Sequence, residues 1–269
     1  MVEIFQNIRK IYMFSKPCEE LANHVEFYSQ SILNHSVQHP KNEFSSVKMF
    51  PSWTPTFYIN LGSPYYIDLK HTRYHVKDDK DVLILRNGDV TRHKLPTDNI
   101  FTVKFNPGGL EAVLNINQVF VIDKIIDLNH ILPWQLIQKI KQPISFEERV
   151  ESIQSYLLEM YSKVSNKDHY LKIVNDCIGE YQASGMQLNT SKVAEKLFIT
   201  SKSINRYFNR VIGVPPKNYF SILRGRIALT AFINDRASFI PTDYGYYDAN
   251  HFRKDVVNFT GQRVTKHQL

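Results

Sequence analysis

A chain of 269 residues with 43% hydrophobic side chains has room for two ordinary domains and is too apolar for wholesale disorder. Its formal charge of +7 is uneven: residues 1–165 carry 18 Lys+Arg against 18 Asp+Glu, and residues 166–269 carry 15 against 8. A basic segment beside a neutral one is the electrostatic footprint of a nucleic-acid binder; a solvated basic surface is the bland alternative.

Only two cysteines occur, Cys18 and Cys177, so neither a disulfide framework nor a metal-ligand spacing is present. The N-terminal stretch MVEIFQNIRKIYMF has Arg9 and Lys10 inside its apolar run, unlike a secretory signal. No run approaches the roughly 20 apolar residues that span a bilayer. A soluble cytoplasmic protein with no membrane partner is expected.

The first 130 residues read mostly as β. Near Glu19–Leu33 the spacing of Leu21, Val25 and Tyr28 fits a helix or a strand. TFYINLG (56–62), YYIDLK (65–70), DVLILRNG (81–88), IFTVKFNPGG (100–109) and VFVIDKIID (119–127) are short β-branched and aromatic runs. Asn87-Gly88 and Pro107-Gly108-Gly109 mark turns. Strands so spaced, without long helices between them, suggest an antiparallel barrel or sandwich. Phe57, Ile59, Tyr66 and Phe101 would line its interior, either as a small apolar ligand pocket or as a filled core.

From Pro133 the period becomes helical. Ser145-Phe-Glu-Glu148 has the form of a capping box. Behind it Phe146, Val150, Ile153, Leu157, Tyr161 and Val164 share one apolar face, to be spent on intramolecular core or on a homodimer seam. The polar break SNKDH (165–169) marks a domain boundary. The expected organisation is a β-rich (α+β) sensor domain over 1–132, a helical linker or dimerisation segment over 133–165, and an all-α domain over 166–269.

Within that last domain, Asn189 can cap a short helix carrying Val193, Ala194 and Leu197. Thr200 can cap a second, with Ile204, Tyr207, Phe208 and Val211 buried and Gly213 ending it. Two short helices and a tight turn make a helix-turn-helix, whose second helix enters the major groove. With Ile204 buried, Lys202, Asn205 and Arg206 project together, and no acidic residue lies between Ser201 and Arg210. Lys or Arg can pair with guanine and Asn with adenine, so these three suit base reading. Ser201 and Arg210 suit phosphate.

The segment SFIPTDYGYYDANHFRKDVVNFTG (238–261) repeats the unit 48 residues later. Thr200 falls on Asp248, Phe198 on Tyr246, Lys202 on Asn250, Ile204 on Phe252, Asn205 on Arg253, Arg206 on Lys254, Phe208 on Val256 and Gly213 on Gly261. Asn250, Arg253 and Lys254 are then the second base-reading set, with His251 beside them as a phosphate contact. Between the copies, Pro216 can open a helix burying Leu223, Ile227 and Ala231. On one face of B-DNA, units so joined should lie about one turn, roughly 34 Å, apart.

Two helix-turn-helix units joined by a long helix, carried by VAEKLFITSKSINRYFNRVIGVPPKNYF, Arg224, Ala228, GYYDANHFRKD and the final Thr260-Gly261, resemble the DNA-binding domain of AraC-type (AraC/XylS) bacterial transcription regulators. FYINLGSPYYI (57–67) and VKFNPGGLEAVL (103–114) resemble, more weakly, the β-rich sensor domain of one branch of that family. The resemblance implies a transcription factor that senses a small-molecule effector, binds double-stranded operator DNA, and engages or blocks RNA polymerase. Four residues depart from the family pattern: Pro241 in the second unit's first helix, Val256 for an aromatic, Val264 for a proline, and Gly225 inside the linking helix.

Other constellations carry less. His71 and His75 share a strand face but lack a third ligand. Cys177 sits among Ile173, Val174 and Ile178, as a core cysteine would. Asp78-Asp79-Lys80-Asp81 reads as a solvated turn. No phosphate loop, dinucleotide fingerprint or nucleophile elbow occurs, so neither a cofactor nor an enzyme is expected. The rival reading is a ligand-binding or interaction protein whose helix-turn-helix domain no longer reads DNA.

Overall fold

The computed structural model describes residues 11–32, 44–164 and 169–263. Most of the SNKDH break and the Val264 departure fall outside them. Ten strands form two antiparallel sheets. The larger has the order β1 (Tyr12–Ser15), β2 (Val25–Ser31), β9 (Ile100–Phe105), β4 (Pro55–Asn60), β7 (Val82–Leu85) and β10 (Ile125–Asp127). The smaller has β3 (Ser45–Met49), β8 (Val90–Lys94), β5 (Tyr65–Leu69) and β6 (Thr72–Val76). The open alternative near residue 19 resolves into a 3-10 turn, Glu19–Leu21, followed by β2.

The larger sheet is covered on both faces, which is why β4, β7 and β9 are buried at every position. Side chains alternate across a strand. Phe57, Ile59, Phe101 and Val103 therefore point to one side, into a core closed by α1 (Gly109–Leu114), α2 (Trp134–Lys141) and α3 (Phe146–Lys163). Tyr58 and Ile100 point to the other, against Tyr65, Ile67 and Val90 of the smaller sheet. The segment expected as a strand over 119–127 is mostly something else. It forms a 3-10 turn, Gln118–Val121, and only the short edge strand β10.

The capping box forms as expected: Glu148 N donates to Ser145 Oγ at 3.2 Å and Ser145 N to Glu148 Oε2 at 2.8 Å. Of the apolar face behind it, Phe146, Val150, Ile153 and Leu157 pack into the core over the larger sheet, the intramolecular one of the two expectations for them. Buried Arg149 ties α3 to α2, donating to the carbonyls of Ile140 and Gln142 at 2.8 and 2.7 Å. Asp81 likewise is not solvated. It is buried, accepts from Asn60 N at 2.8 Å and pairs with Lys141 at 3.0 Å.

The second domain is helical: α4 (His169–Ala183), α5 (Thr190–Lys196), α6 (Ser201–Val211), α7 (Pro216–Asn234) and α8 (Ala249–Thr260). Cys177 lies in its first core, as expected, and burial pushes its thiol up to about 12. Among the described residues no helix is long and apolar enough to cross a membrane.

The two domains are joined by specific contacts. Buried Gln118 accepts from Gly108 N at 2.9 Å and donates to the carbonyl of Ile212 at 3.0 Å. Gly213, at φ 94°, ends α6 so close to the first domain that a Cβ would meet the Ile122 side chain at 2.6 Å.

Candidate nucleic-acid interface and ligand cavity

In the first unit the expected caps are present. Lys192 N donates to Asn189 Oδ1 at 2.9 Å, and Ser203 N to Thr200 Oγ1 at 3.0 Å. Ile204, Phe208 and Val211 are buried, and Tyr207 packs on the Tyr170 ring at 4.8 Å. That face fixes the opposite one: Lys202, Asn205 and Arg206 are all exposed on α6. Asn205 Nδ2 donates back to the Ser201 carbonyl at 2.8 Å, and the Arg206 guanidinium lies 5.1 Å from the Tyr207 ring centre. Neither contact buries them, so both can turn to a partner.

The second unit keeps the recognition helix and alters its support. His251 N donates to Asp248 Oδ1 at 2.7 Å, and Gly261 closes α8 at φ 69°. Phe252 and Val256 are buried, while Asn250, Arg253 and Lys254 are exposed, with Arg253 reaching Asn250 Oδ1 at 3.5 Å. Pro241 sits at the first helical position. What remains is one 3-10 turn, Pro241–Tyr244, entered from Ile240 without a side-chain cap. The 48-residue register also slips in the turn. Phe198 is exposed on left-handed backbone, whereas Tyr246 is buried and Gly245 takes the left-handed position.

Gly225 has a packing reason. A Cβ there would meet the Phe259 ring of α8 at 2.7 Å, so the glycine lets the second recognition helix dock on α7. Arg224 completes that joint, pairing with Asp255 at 2.8 Å and lying over the Tyr246 ring at 4.4 Å.

Of the three phosphate candidates, Ser201 is exposed at the start of α6. Arg210 is engaged elsewhere: its guanidinium grips Glu111 of α1 at 2.9 and 3.3 Å. The His251 ring is turned inward, with Nδ1 accepting from Tyr247 N and Nε2 facing Arg224, both at 3.4 Å. Neither is poised for phosphate in this state.

The expected pocket residues are also displaced, by one step of strand parity. Phe57, Ile59 and Phe101 are filled core beneath the helices. Tyr66 lies outside, stacked on His75 at 4.7 Å. Their strand neighbours Thr56, Tyr58 and Thr102 line the real cavity, about 1290 Å³, which opens between the sheets and α7. Its apolar walls include Phe14, Phe27 and Met49, and Ile227 and Ala231 of α7 close it; Ile227 also packs against the first helical core, as expected, whereas half-buried Ala231 faces the cavity.

Charge converges inside it. Glu26 accepts from Arg226 at 2.9 and 3.2 Å and pairs with Lys104 at 3.2 Å, so an ion triad spans the first domain and α7. Burial opposes ionisation of Glu26, but Arg226 and Lys104 hold its carboxyl down at about 2. Burial pulls Lys104 down to about 7 against the favourable Glu26, helped by Arg226 and Arg86. Lys16, Arg86 and Arg92 also line the wall, as does Glu147, so five basic side chains stand against two carboxylates. Pocket reasoning from apolar residues missed this group, yet Lys104 stands inside the apolar run IFTVKF, where an unpaired lysine is not tolerated.

No family model matches the chain, and no curated protein matches it. Solved structures do. A crystal structure of ToxT from Vibrio cholerae covers 96% of this chain and 98% of that one, at TM-score 0.50 and 7% identity. A second, from strain O395, covers 84% and 93% at TM-score 0.51 and 9% identity. The chain is similar to ToxT in fold. A third ToxT structure, bound to (E)-4-(8-methylnaphthalen-1-yl)but-3-enoic acid, covers 84% of this chain and 94% of that one at TM-score 0.50 and 9% identity. The two-domain architecture expected from the sequence, a β-rich domain followed by a helical one, is shared with ToxT.

Proposed function

We propose that the chain is a ligand-responsive, sequence-specific DNA-binding transcription regulator. The observation that carries this reading is the repetition of a capped, glycine-terminated recognition helix with an exposed polar or basic face, once on α6 and once on α8. Lys202, Asn205 and Arg206 read bases in one major-groove segment. Asn250, Arg253 and Lys254 grip the next, mainly through the backbone, because their unit stands on a single 3-10 turn. RNA polymerase is the downstream partner.

The ligand is an amphipathic anion. A large cavity with apolar walls and five basic side chains against two carboxylates suits an apolar body with an acidic head. That ToxT is solved with an aryl-alkenoic acid is in keeping with this. The cavity is closed by α7, which also carries Leu223 into the core of the first unit and Ala228 and Leu229 into that of the second. Occupancy therefore bears on the rod that sets their separation.

The test is selection of genomic fragments at physiological salt, followed by Arg206→Ala and Arg253→Ala. Arg206→Ala should weaken the selected site by roughly ten-fold or more and random DNA much less, as loss of a base contact requires. Arg253→Ala should weaken both alike. Equal losses for Arg206→Ala on both DNAs would sink base reading, and no selected fragment at all would favour a non-reading ligand-binding protein.

A further inference from the structure

The two most exposed large hydrophobic side chains among the described residues are Phe198, at 97%, and Tyr247, at 87%. They lie in the corresponding turn of each unit, one residue out of register. Phe198 stands two residues ahead of the cap of α6, and Tyr247 one residue ahead of the cap of α8. Phe198 does so at φ 54°, a left-handed conformation that disfavours any residue with a Cβ. Chance exposure of a surface aromatic is ordinary. Exposure of the two extreme cases in equivalent turns of a repeated unit is not, and one of them is held there against backbone preference.

The neighbourhood says what covers them. Each ring precedes a helix whose exposed face is polar and basic, Lys202, Asn205 and Arg206 in one and Asn250, Arg253 and Lys254 in the other. That charge is complementary to nucleic acid. A recognition helix presents its N-terminal residues to the groove, so the turn just ahead of it meets the groove wall. The wall offers two apolar groups in a polar setting, the deoxyribose face and the thymine C5 methyl. We propose that Phe198 and Tyr247 are groove-edge contacts that pack on deoxyribose and thymine methyl groups beside the bases faced by α6 and α8. This rests on the DNA-binding reading above and adds to it an apolar recognition element that charge-based reasoning passes over.

The test uses the full chain and a DNA fragment selected by it from a random pool. Phe198→Gly and Tyr247→Ser should each weaken binding about ten-fold, the scale of one lost apolar contact patch. The dependence of affinity on salt should be unchanged, because no phosphate contact is lost. The thermal midpoint of Phe198→Gly should stay the same or rise, because glycine relaxes the left-handed position. Replacing thymine by uracil in the fragment should weaken the wild type and leave the double variant unaffected. Full affinity in both variants overturns the proposal. Intact DNA binding with lost transcriptional activation assigns the rings to a protein partner and overturns it too. A wild type that selects no fragment removes the DNA reading itself, and the proposal with it.

Discussion

Arg210 connects the two domains in a way that sets its own test. Its guanidinium binds both oxygens of Glu111, and Asn117 Nδ2 bridges Glu111 Oε2 and the Arg210 carbonyl at 2.8 and 3.1 Å. A residue at the end of the proposed recognition helix α6 is thus held by the first domain. Glu111→Gln removes the charge and keeps the shape. Glu111 is nearly buried, but the Arg210 side chain is 43% exposed, so solvent screens the pair. After that discount the tie is worth about 1 kcal/mol, which is about five-fold in affinity.

Glu111→Gln should therefore bind DNA about five-fold more tightly. Its salt dependence should steepen by about 0.9 in log–log slope, one phosphate neutralised. Fluorescence anisotropy over a salt series measures both at once. Arg210→Ala supplies the control: in the wild type it should change little, and in the Glu111→Gln background it should erase the gain. Such non-additivity is the signature of one shared contact. Unchanged affinity and slope in Glu111→Gln would refute the competition between carboxylate and phosphate.

Three further outcomes are expected. Gly225→Ala gains helix propensity but drives a Cβ into the Phe259 ring, so thermal unfolding should show a net loss of about 1 kcal/mol; a more stable variant would contradict the packing role. Lys104, held near 7, should make the affinity for an aryl-alkenoic acid fall as pH rises through neutrality, because the ammonium attracts the carboxylate and the free amine does not. Calorimetric titration from pH 6 to 9 should show that fall in the wild type and none in Lys104→Met. The sign for stability follows as well: between about pH 7 and 10 the unfolded chain holds a proton on Lys104 that the folded chain does not, so stability rises with pH there.

Local rules made much of the helical half legible. Caps, apolar spacing and terminal glycines act within one or two turns, so Asn189, Thr200, Asp248, Gly213 and Gly261 could each be placed from their neighbours. Strand existence was readable where β4, β7 and β9 run apolar, but the function of each face was not. In a sheet covered on both sides both parities are buried, so nothing in Thr56–Asn60 tells which residues see helices and which see the cavity. The sequence reading chose Phe57 and Ile59, and the cavity took Thr56 and Tyr58. Parity gave way to burial, whereas a buried charge would have decided it: Lys104 shares the face of Thr102 and must find a counter-ion.

The remaining misses are non-local. Glu26 meets Arg226 across 200 positions and Arg210 meets Glu111 across 99, and no periodicity in a single chain carries such pairings. They are also where the two domains touch, so the residues least visible in the sequence are those that could couple ligand to DNA. Arg226 sits one position beyond the pair Arg224-Gly225 that docks the second recognition helix, on the same stretch of α7. A ligand carboxylate that draws Arg226 from Glu26 acts one residue away from the joint on which α8 rests. The physical route from cavity to groove is then a single helix segment, and Gly225 is the position at which it can be cut without touching the cavity.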